Sequence, residues 1–158
     1  MPRQASEPST QQSAHSTPLR VLITAGPTHE PIDAVRYIAN RSSGRMGLAL
    51  AQACIDRAWP TTLLLGPVQL PPPVSSYLAV QRFQTAADLA RLLHAHWPKH
   101  DLLLMAEAVA HFTPVQSPTG DKLKRSDEPF TLTLEPTPDL LASLTAITRP
   151  DQTVVGFA

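Results

Sequence analysis

The sequence predicts an α/β fold: a Rossmann-like, open, mainly parallel sheet with helices on both faces, in three layers. Three observations predict it. Short apolar runs alternate with segments of helical period along most of the chain. The first run, Val21 to Thr24, is apolar or β-branched at every position, as a parallel strand buried on both faces requires. A turn at Ala25-Gly26-Pro27 and a long polar loop then lead to a run of small residues that opens a helix.

The elements follow in chain order. Residues 1–18 are rich in Pro, Ser, Gln and Thr, nearly lack large apolar side chains, and read as a disordered tail before a domain at 19–158. After the strand at Val21 to Thr24, Ser42-Ser43-Gly44 precedes a helix from Met46 to Arg57. Its apolar pattern is carried by Met46, Leu48, Ala49, Leu50, Ala53 and Ile55. Thr61 to Leu65 is the second strand, and Pro71-Pro72-Pro73 makes the loop after it stiff. Leu78 to Arg82 is the third strand, and Thr85 caps a helix over Ala86 to His96. Leu102 to Met105 is the fourth, and Phe130 to Leu134 reads as an extra strand following a mobile loop. Pro138-Asp139 opens a helix to Ile147, with Thr137 as its cap, and Val154 to Phe157 is the fifth main strand. Right-handed crossovers bring the strand ends to one edge, where ligands bind near the reversal of strand order.

Composition narrows the function classes. The chain has 158 residues, with 13 Lys plus Arg against 13 Asp plus Glu, so no net charge advertises nucleic acid or membrane as partner. A single cysteine, Cys54, excludes an intrachain disulfide and a cysteine-based metal cluster, and it reads as a buried helix residue. No spanning apolar run and no secretory signal are present, which fits a cytoplasmic protein. No spacing of His, Cys, Asp or Glu forms a metal cage; His94 and His96 do not share a helix face, and His29-Glu30 reads as an exposed loop pair.

The residues around the first turn suggest anion binding. A strand, a turn and a helix N-terminus expose free amides and the positive end of the helix dipole. Ser42, Ser43, Gly44 and Gly47 fit that role, although from these residues alone caps and close-packing positions are the commoner reading. The motif is neither G-x-G-x-x-G directly after a strand nor a P-loop.

The block GPTHEPIDAVRYIANRSSGRMG resembles the signature of phosphopantothenoylcysteine synthetase (phosphopantothenate–cysteine ligase), in bacteria usually the C-terminal half of a bifunctional coenzyme A biosynthesis flavoprotein. The resemblance continues through Leu65-Gly66-Pro67, Ala106 to Phe112, Asp121 to Arg125, Pro138 to Leu141 and Val155 to Ala158. It implies a ligase that activates the carboxylate of 4'-phosphopantothenate with CTP and Mg²⁺, releases pyrophosphate, and lets the amine of cysteine displace CMP from the acyl-cytidylate. The flavin-dependent half is absent, so the resemblance implies no flavin.

It also implies roles by position. Lys122 matches a lysine of the first half-reaction, with Lys124 and Arg125 as further phosphate contacts; a solvated basic loop is the other reading. Asn40 matches the asparagine that handles the acyl-nucleotide, while an Asx turn explains it otherwise. By their chemistry Arg36 and Arg41 read as bidentate substrate-phosphate contacts, or equally as surface arginines paired with Glu30 or Asp33. Gly26, Ser42, Ser43, Gly44, Gly47, Ala106, Ala108, His111, Pro138, Asp139, Leu140, Leu141 and Phe157 match nucleotide-contacting positions. A helix start and a core aromatic are the plainer readings of Pro138–Leu141 and Phe157.

Two positions depart from the family pattern A-A-V-A-D-[FY]: Glu107 stands for a small residue, and His111 for an aspartate. The family also continues past the position of Ala158 with a helix, further strands and dimer-forming elements, so the resemblance implies a C-terminally shortened form, working as a homodimer or with a complementing partner chain. A catalytically impaired binding homologue is the alternative. An NAD(P)-dependent oxidoreductase is a third, opposed by the missing glycine fingerprint and by Leu65-Gly66-Pro67 where an acidic residue would end the second strand.

Overall fold

The computed structural model describes residues 17–115, 122–123 and 127–157. Most of the expected tail lies outside the described residues, as do Asp121, Lys124, Arg125 and Ala158. The chain runs β1 (Val21–Pro27), β2 (His29–Pro31), β3 (Tyr37–Ala39), α1 (Arg45–Ile55), β4 (Thr61–Leu65), β5 (Leu78–Arg82), α2 (Ala86–His96), β6 (Leu102–Ala108), β7 (Phe112–Pro114), β8 (Leu134–Pro136), α3 (Leu140–Leu144) and β9 (Thr153–Gly156). Turns of 3₁₀ helix follow α2 at Trp97–Lys99 and α3 at Thr145–Ile147.

The main sheet has the order β5-β4-β1-β6-β9, and every neighbouring pair is parallel. From β1 the chain winds outward through β4 to β5, then returns to lay β6 on the other side of β1. Strand order therefore reverses between β1 and β6, where an open α/β sheet leaves a crevice beyond its carboxyl ends. The register sets Gly26 opposite Glu107 and Pro27 opposite Ala108 at that point.

The side-chain period of two divides β1 between the layers. Val21, Ile23 and Ala25 meet Leu48, Ala51 and Cys54 of α1, together with Leu63 and Leu65. Leu22 faces the other way, joining Leu64 and Leu103 against Leu89, Leu93, Trp97, Leu140 and Leu144. Cys54 is buried, and burial pushes its thiol pKa up, the opposite of an activated nucleophile. α1 closes on the sheet through small side chains, so its backbone rides near β1: a Cβ built on Gly47 would sit 2.2 Å from the Ala25 Cβ.

Several expectations are corrected. The loop after β1 is not irregular throughout; it contains the antiparallel hairpin β2–β3. Glu30 is not exposed: its side chain is buried and its Oε1 accepts the Ala86 N–H at 2.8 Å, at the start of α2. His29 stacks on Tyr37 with ring centroids 3.8 Å apart. Phe130 to Leu134 is not a strand; pairing starts at Leu134, where β8 meets β7. Thr137 does not cap α3. Asp139 does, its Oδ1 accepting the Ala142 N–H at 2.9 Å, while Thr137 bonds the Ala110 carbonyl at 2.7 Å. Thr85 caps α2 as expected, within a capping box closed by Asp88. No helix among the described residues is long and apolar enough to cross a membrane.

A pH prediction arises from His100, which is buried between β4 and the turn after α2. The His96 carbonyl lies 2.7 Å from its Nδ1, so Nδ1 carries the proton and donates; the Thr62 hydroxyl, at 2.9 Å, donates to Nε2. Burial lowers the His100 pKa, and that of His29 and His96 as well. Above about pH 6.5 both folded and unfolded states hold the rings neutral and no penalty exists. As pH falls through that value the unfolded chain gains protons first, so stability is lost on acidification. Melting temperature is expected to drop between pH 7.5 and 5, and His100→Gln is expected to flatten part of that slope in a calorimetric series.

Candidate active site

The carboxyl ends of β1 and β6 and the start of α1 form the centre of the site. Gly44 precedes α1 with φ +71°, and Gly26, the penultimate residue of β1, has φ +83°, a region that a side chain strains. A Cβ on either would also lie 2.9 Å from the Val68 Cγ1. These two glycines let the turn and the loop after β4 close on each other. No side chain caps α1, unlike α2 and α3, so its first amides stay open to a ligand.

Three connected cavities open here. A groove of about 320 Å³ is lined by Arg41, Ser42, Ser43, Gly44, Ala106 and Phe157. Across β6, a pocket of about 560 Å³ is lined by His111, Pro138, Asp139, Leu140 and Leu141, with apolar walls from Met105, Val109 and Phe112. Glu107 borders both. On the β4–β5 side, a cavity of about 1000 Å³ shares Arg41, Ser42, Ser43 and Arg45 with the groove and adds Asn40, Tyr37, His29 and Arg82.

Glu107 is held by Thr24, whose hydroxyl donates to its Oε2. Burial raises the Glu107 carboxyl pKa, partly offset by that hydrogen bond. Asn40 donates from Nδ2 to the Val109 carbonyl at 2.7 Å. This contact ties the loop before α1 to the end of β6 and leaves the amide oxygen of Asn40 as an acceptor. Thr28 reinforces the same junction: its hydroxyl accepts the Ala110 N–H at 2.9 Å, and its N–H donates to the Ala108 carbonyl at 3.2 Å.

The remaining sequence candidates divide. Phe157 is 43 % exposed and lines the groove, so it is not a core aromatic. Leu140 is mostly core, whereas Leu141 is half-exposed on the pocket rim. At the start of α3 the Asp139 side chain takes the Ala142 N–H. Gly47 is buried against β1 and borders none of the three cavities. Ala108 touches none of them either. Arg36 turns its Nε and Nη2 onto Asp33 and pushes that carboxyl far below the usual range. Lys122 is exposed and lines none of the three; its neighbour Leu123 is fastened to the Asp33–Arg36 turn through Asp33 Oδ2 at 3.1 Å and Arg36 Nη2 at 3.3 Å. The described residues contain no group of three or more His, Cys, Asp or Glu able to hold a metal ion.

Thr24 and Thr28 are the contributors that sequence reasoning missed as site residues. Asp33 is the ion-pair partner of Arg36 that the sequence offered, and its Oδ1 also accepts the N–H groups of Val35 and Arg36.

Known proteins share this arrangement. The family model described as DNA/pantothenate metabolism flavoprotein C-terminal domain matches residues 17–158. The coenzyme A biosynthesis bifunctional protein CoaBC of Vibrio vulnificus is 42% identical over 142 residues, covering 87% of this chain and 34% of its own length. A cysteine/cysteine sulfinic acid decarboxylase from an unknown prokaryotic organism is 42% identical over 139 residues, covering 88% of this chain and 38% of its own. The crystal structure of the C-terminal domain of a CoaBC protein superposes with TM-score 0.74 at 32% identity, over 89% of this chain and 64% of that one. The chain thus spans about a third of the length of the curated relatives it matches. With a family match running from the first described strand to the last, on the strand order and helix start just described, the chain belongs to the DNA/pantothenate metabolism flavoprotein C-terminal domain family.

Proposed function

We propose that the domain carries the phosphopantothenate–cysteine ligase reaction of coenzyme A biosynthesis, with CTP as the activating nucleotide. The observation that carries this reading is the uncapped start of α1 facing the groove at the β1–β6 reversal, flanked by the pocket under α3. The pocket's apolar walls suit a base, and the open amides with Arg41 suit its phosphates. In the first half-reaction a carboxylate oxygen of 4'-phosphopantothenate attacks the α-phosphorus and the bond to pyrophosphate breaks. In the second, the cysteine amine attacks the acyl carbon, CMP leaves, and the ammonium proton passes to solvent. Asn40, anchored on Val109, turns its amide oxygen to the acyl-nucleotide; Lys122 neutralises charge on the phosphates.

Mg²⁺ enters with the triphosphate, and its Lewis acidity polarises the phosphoryl oxygens when bound. The donor set fits an ion that keeps its waters and takes one protein carboxylate, Glu107, in place of an all-protein cage. A dimer, or a partner domain such as the bifunctional relatives carry, is proposed on the same basis.

Pyrophosphate release is the test: CTP and 4'-phosphopantothenate with the full chain, then cysteine, run in parallel with ATP. Release that requires the phosphorylated acid supports the ligase. CTP binding in calorimetry without release supports the binding-only homologue, a reading that draws on the half-buried Glu107 carboxylate beside the phosphate groove. Absence of both defeats the ligase and the binding module together.

Glu107 gives a further expected outcome. An ionised carboxylate lining the groove repels phosphate charge where no metal ion bridges the two. Glu107→Ala is therefore expected to tighten metal-free CTP binding about tenfold. The same substitution is expected to raise stability at neutral pH. The raised pKa makes this carboxyl's contribution greatest below the unfolded value of about 4.5, and it is lost as pH rises through the folded value. Melting curves of wild type and variant from pH 4 to 8 would diverge upward with pH.

A further inference from the structure

From the cavity on the β4–β5 flank we infer a second anion subsite, adjoining the nucleotide groove and sharing Arg41 and Arg45 with it, that takes a phosphate group through Arg45 and Arg82 with Arg41 at the shared edge. The inference rests on how arginines are spent elsewhere in the domain. Arg20 pairs with Asp101, Arg36 with Asp33, Arg91 with Asp88 and Arg149 with Asp151. Arg57 donates to the Ala53 carbonyl and lies over the Trp59 ring. The side chains of Arg41, Arg45 and Arg82 have no hydrogen bond or ion pair among the described residues, and all three residues line this one cavity. No Asp or Glu lines it.

Two regions far apart in sequence deliver these cations: the entrance to α1, with Arg41 in the loop and Arg45 at the first helical position, and the last residue of β5. The distribution opposes a merely solvated charge run, because chain order does not place Arg82 beside Arg41. The topology does, by laying β4 between β1 and β5. The stacked rings of His29 and Tyr37 make one wall, and Asn40 another. At about 1000 Å³ the space admits an extended small molecule rather than a lone ion. Guanidinium groups bind phosphate oxygens bidentately, and with no carboxylate in the lining the site favours a dianion. Two phosphate sources reach this flank: the monoester of the acid substrate, and pyrophosphate as it leaves the groove across Arg41 and Arg45. Only the identity of that source rests on the ligase reading; the anion site itself does not.

Calorimetric titrations of the full chain at low salt test it, with inorganic pyrophosphate, 4'-phosphopantothenate and unphosphorylated pantothenate as separate probes. Arg82→Ala is expected to weaken one phosphorylated probe about tenfold, Arg45→Ala with Arg82→Ala more so, and pantothenate not at all. Arg57→Ala, which removes the same charge away from the cavity, is expected to change nothing. Weakening confined to 4'-phosphopantothenate assigns the monoester, and weakening confined to pyrophosphate assigns the leaving group. Unchanged binding of both in the double variant overturns the subsite. Equal weakening by Arg57→Ala does so too, since it would reduce the effect to net charge. Loss of CTP turnover with both anions still binding would count against the ligase reading alone.

Discussion

Lys122→Ala is expected to slow pyrophosphate release from CTP about a hundredfold while changing CTP affinity far less. The expectation comes from what holds the lysine's segment. Leu123 is fastened by both its N–H and its carbonyl to the Asp33–Arg36 turn, only a few residues before Asn40. The exposed ammonium next to it is thus tethered near the loop that enters α1, on a four-carbon stem able to follow phosphate as charge develops. An interaction made chiefly in the transition state lowers kcat and kcat/KM together and leaves ground-state binding nearly intact. Lys122→Arg keeps the charge and is expected to recover part of the rate. Asp33→Asn, which weakens the fastening of Leu123 without touching the lysine, is expected to lower the rate less than Lys122→Ala, and arginine at 122 is not expected to compensate for it. Rapid-quench measurement of the first turnover separates these outcomes. A wild-type burst in Lys122→Ala would remove this lysine from nucleotidyl transfer.

Gly47→Ala is expected to cost about 3 kcal/mol of stability, a fall of roughly 10 °C in melting temperature for a domain of this size. Helix propensity alone predicts the reverse, a gain of about 1 kcal/mol. Contact geometry decides the sign. The added methyl would stand 2.2 Å from the Ala25 Cβ and 3.1 Å from the Ala25 Cα, both on a strand buried along its whole length. No flexible side chain is available to yield, so the helix or the strand must move. Ala25→Gly in the same chain removes the nearer clash and is expected to restore most of the loss. Thermal melts of the two single variants and the double variant read the coupling directly. An unshifted melt for Gly47→Ala would mean that α1 rests less tightly on β1 than described.

Much of the frame was legible because its signals are periodic. β4, β5 and α2 lie at the bounds that apolar pattern and capping chemistry predict. The hairpin β2–β3 was not legible: three-residue strands carry too short a period, and Glu30 reads as exposed because its partner, the Ala86 amide, lies 56 residues away. Thr137 and Asp139 show local ambiguity, since Thr137 can cap a helix opening at Pro138 and Asp139 one opening at Leu140, and the tertiary bond to Ala110 takes the threonine away. Around the site, the small residues of the α1 motif divided between two duties. Gly44 shapes the turn and Gly47 packs the helix, and sequence spacing alone does not separate turn geometry from close approach. The cavity bounded by Arg82 was invisible for another reason: only strand order brings β5 beside the α1 entrance.

The segment between β1 and α1 is staked to the body at well-separated points. The His29 N–H donates to the Gln84 carbonyl at 2.7 Å, Glu30 reaches the Ala86 amide, and Asn40 reaches the Val109 carbonyl. A connection of this length, left to wander, would have to be immobilised each time a substrate arrived, and affinity would bear that entropy. Here folding has already borne it. The acceptor of Asn40 and the bare amides beyond Gly44 stand preorganised, so in the proposed ligase reaction they cost little ordering when substrate arrives.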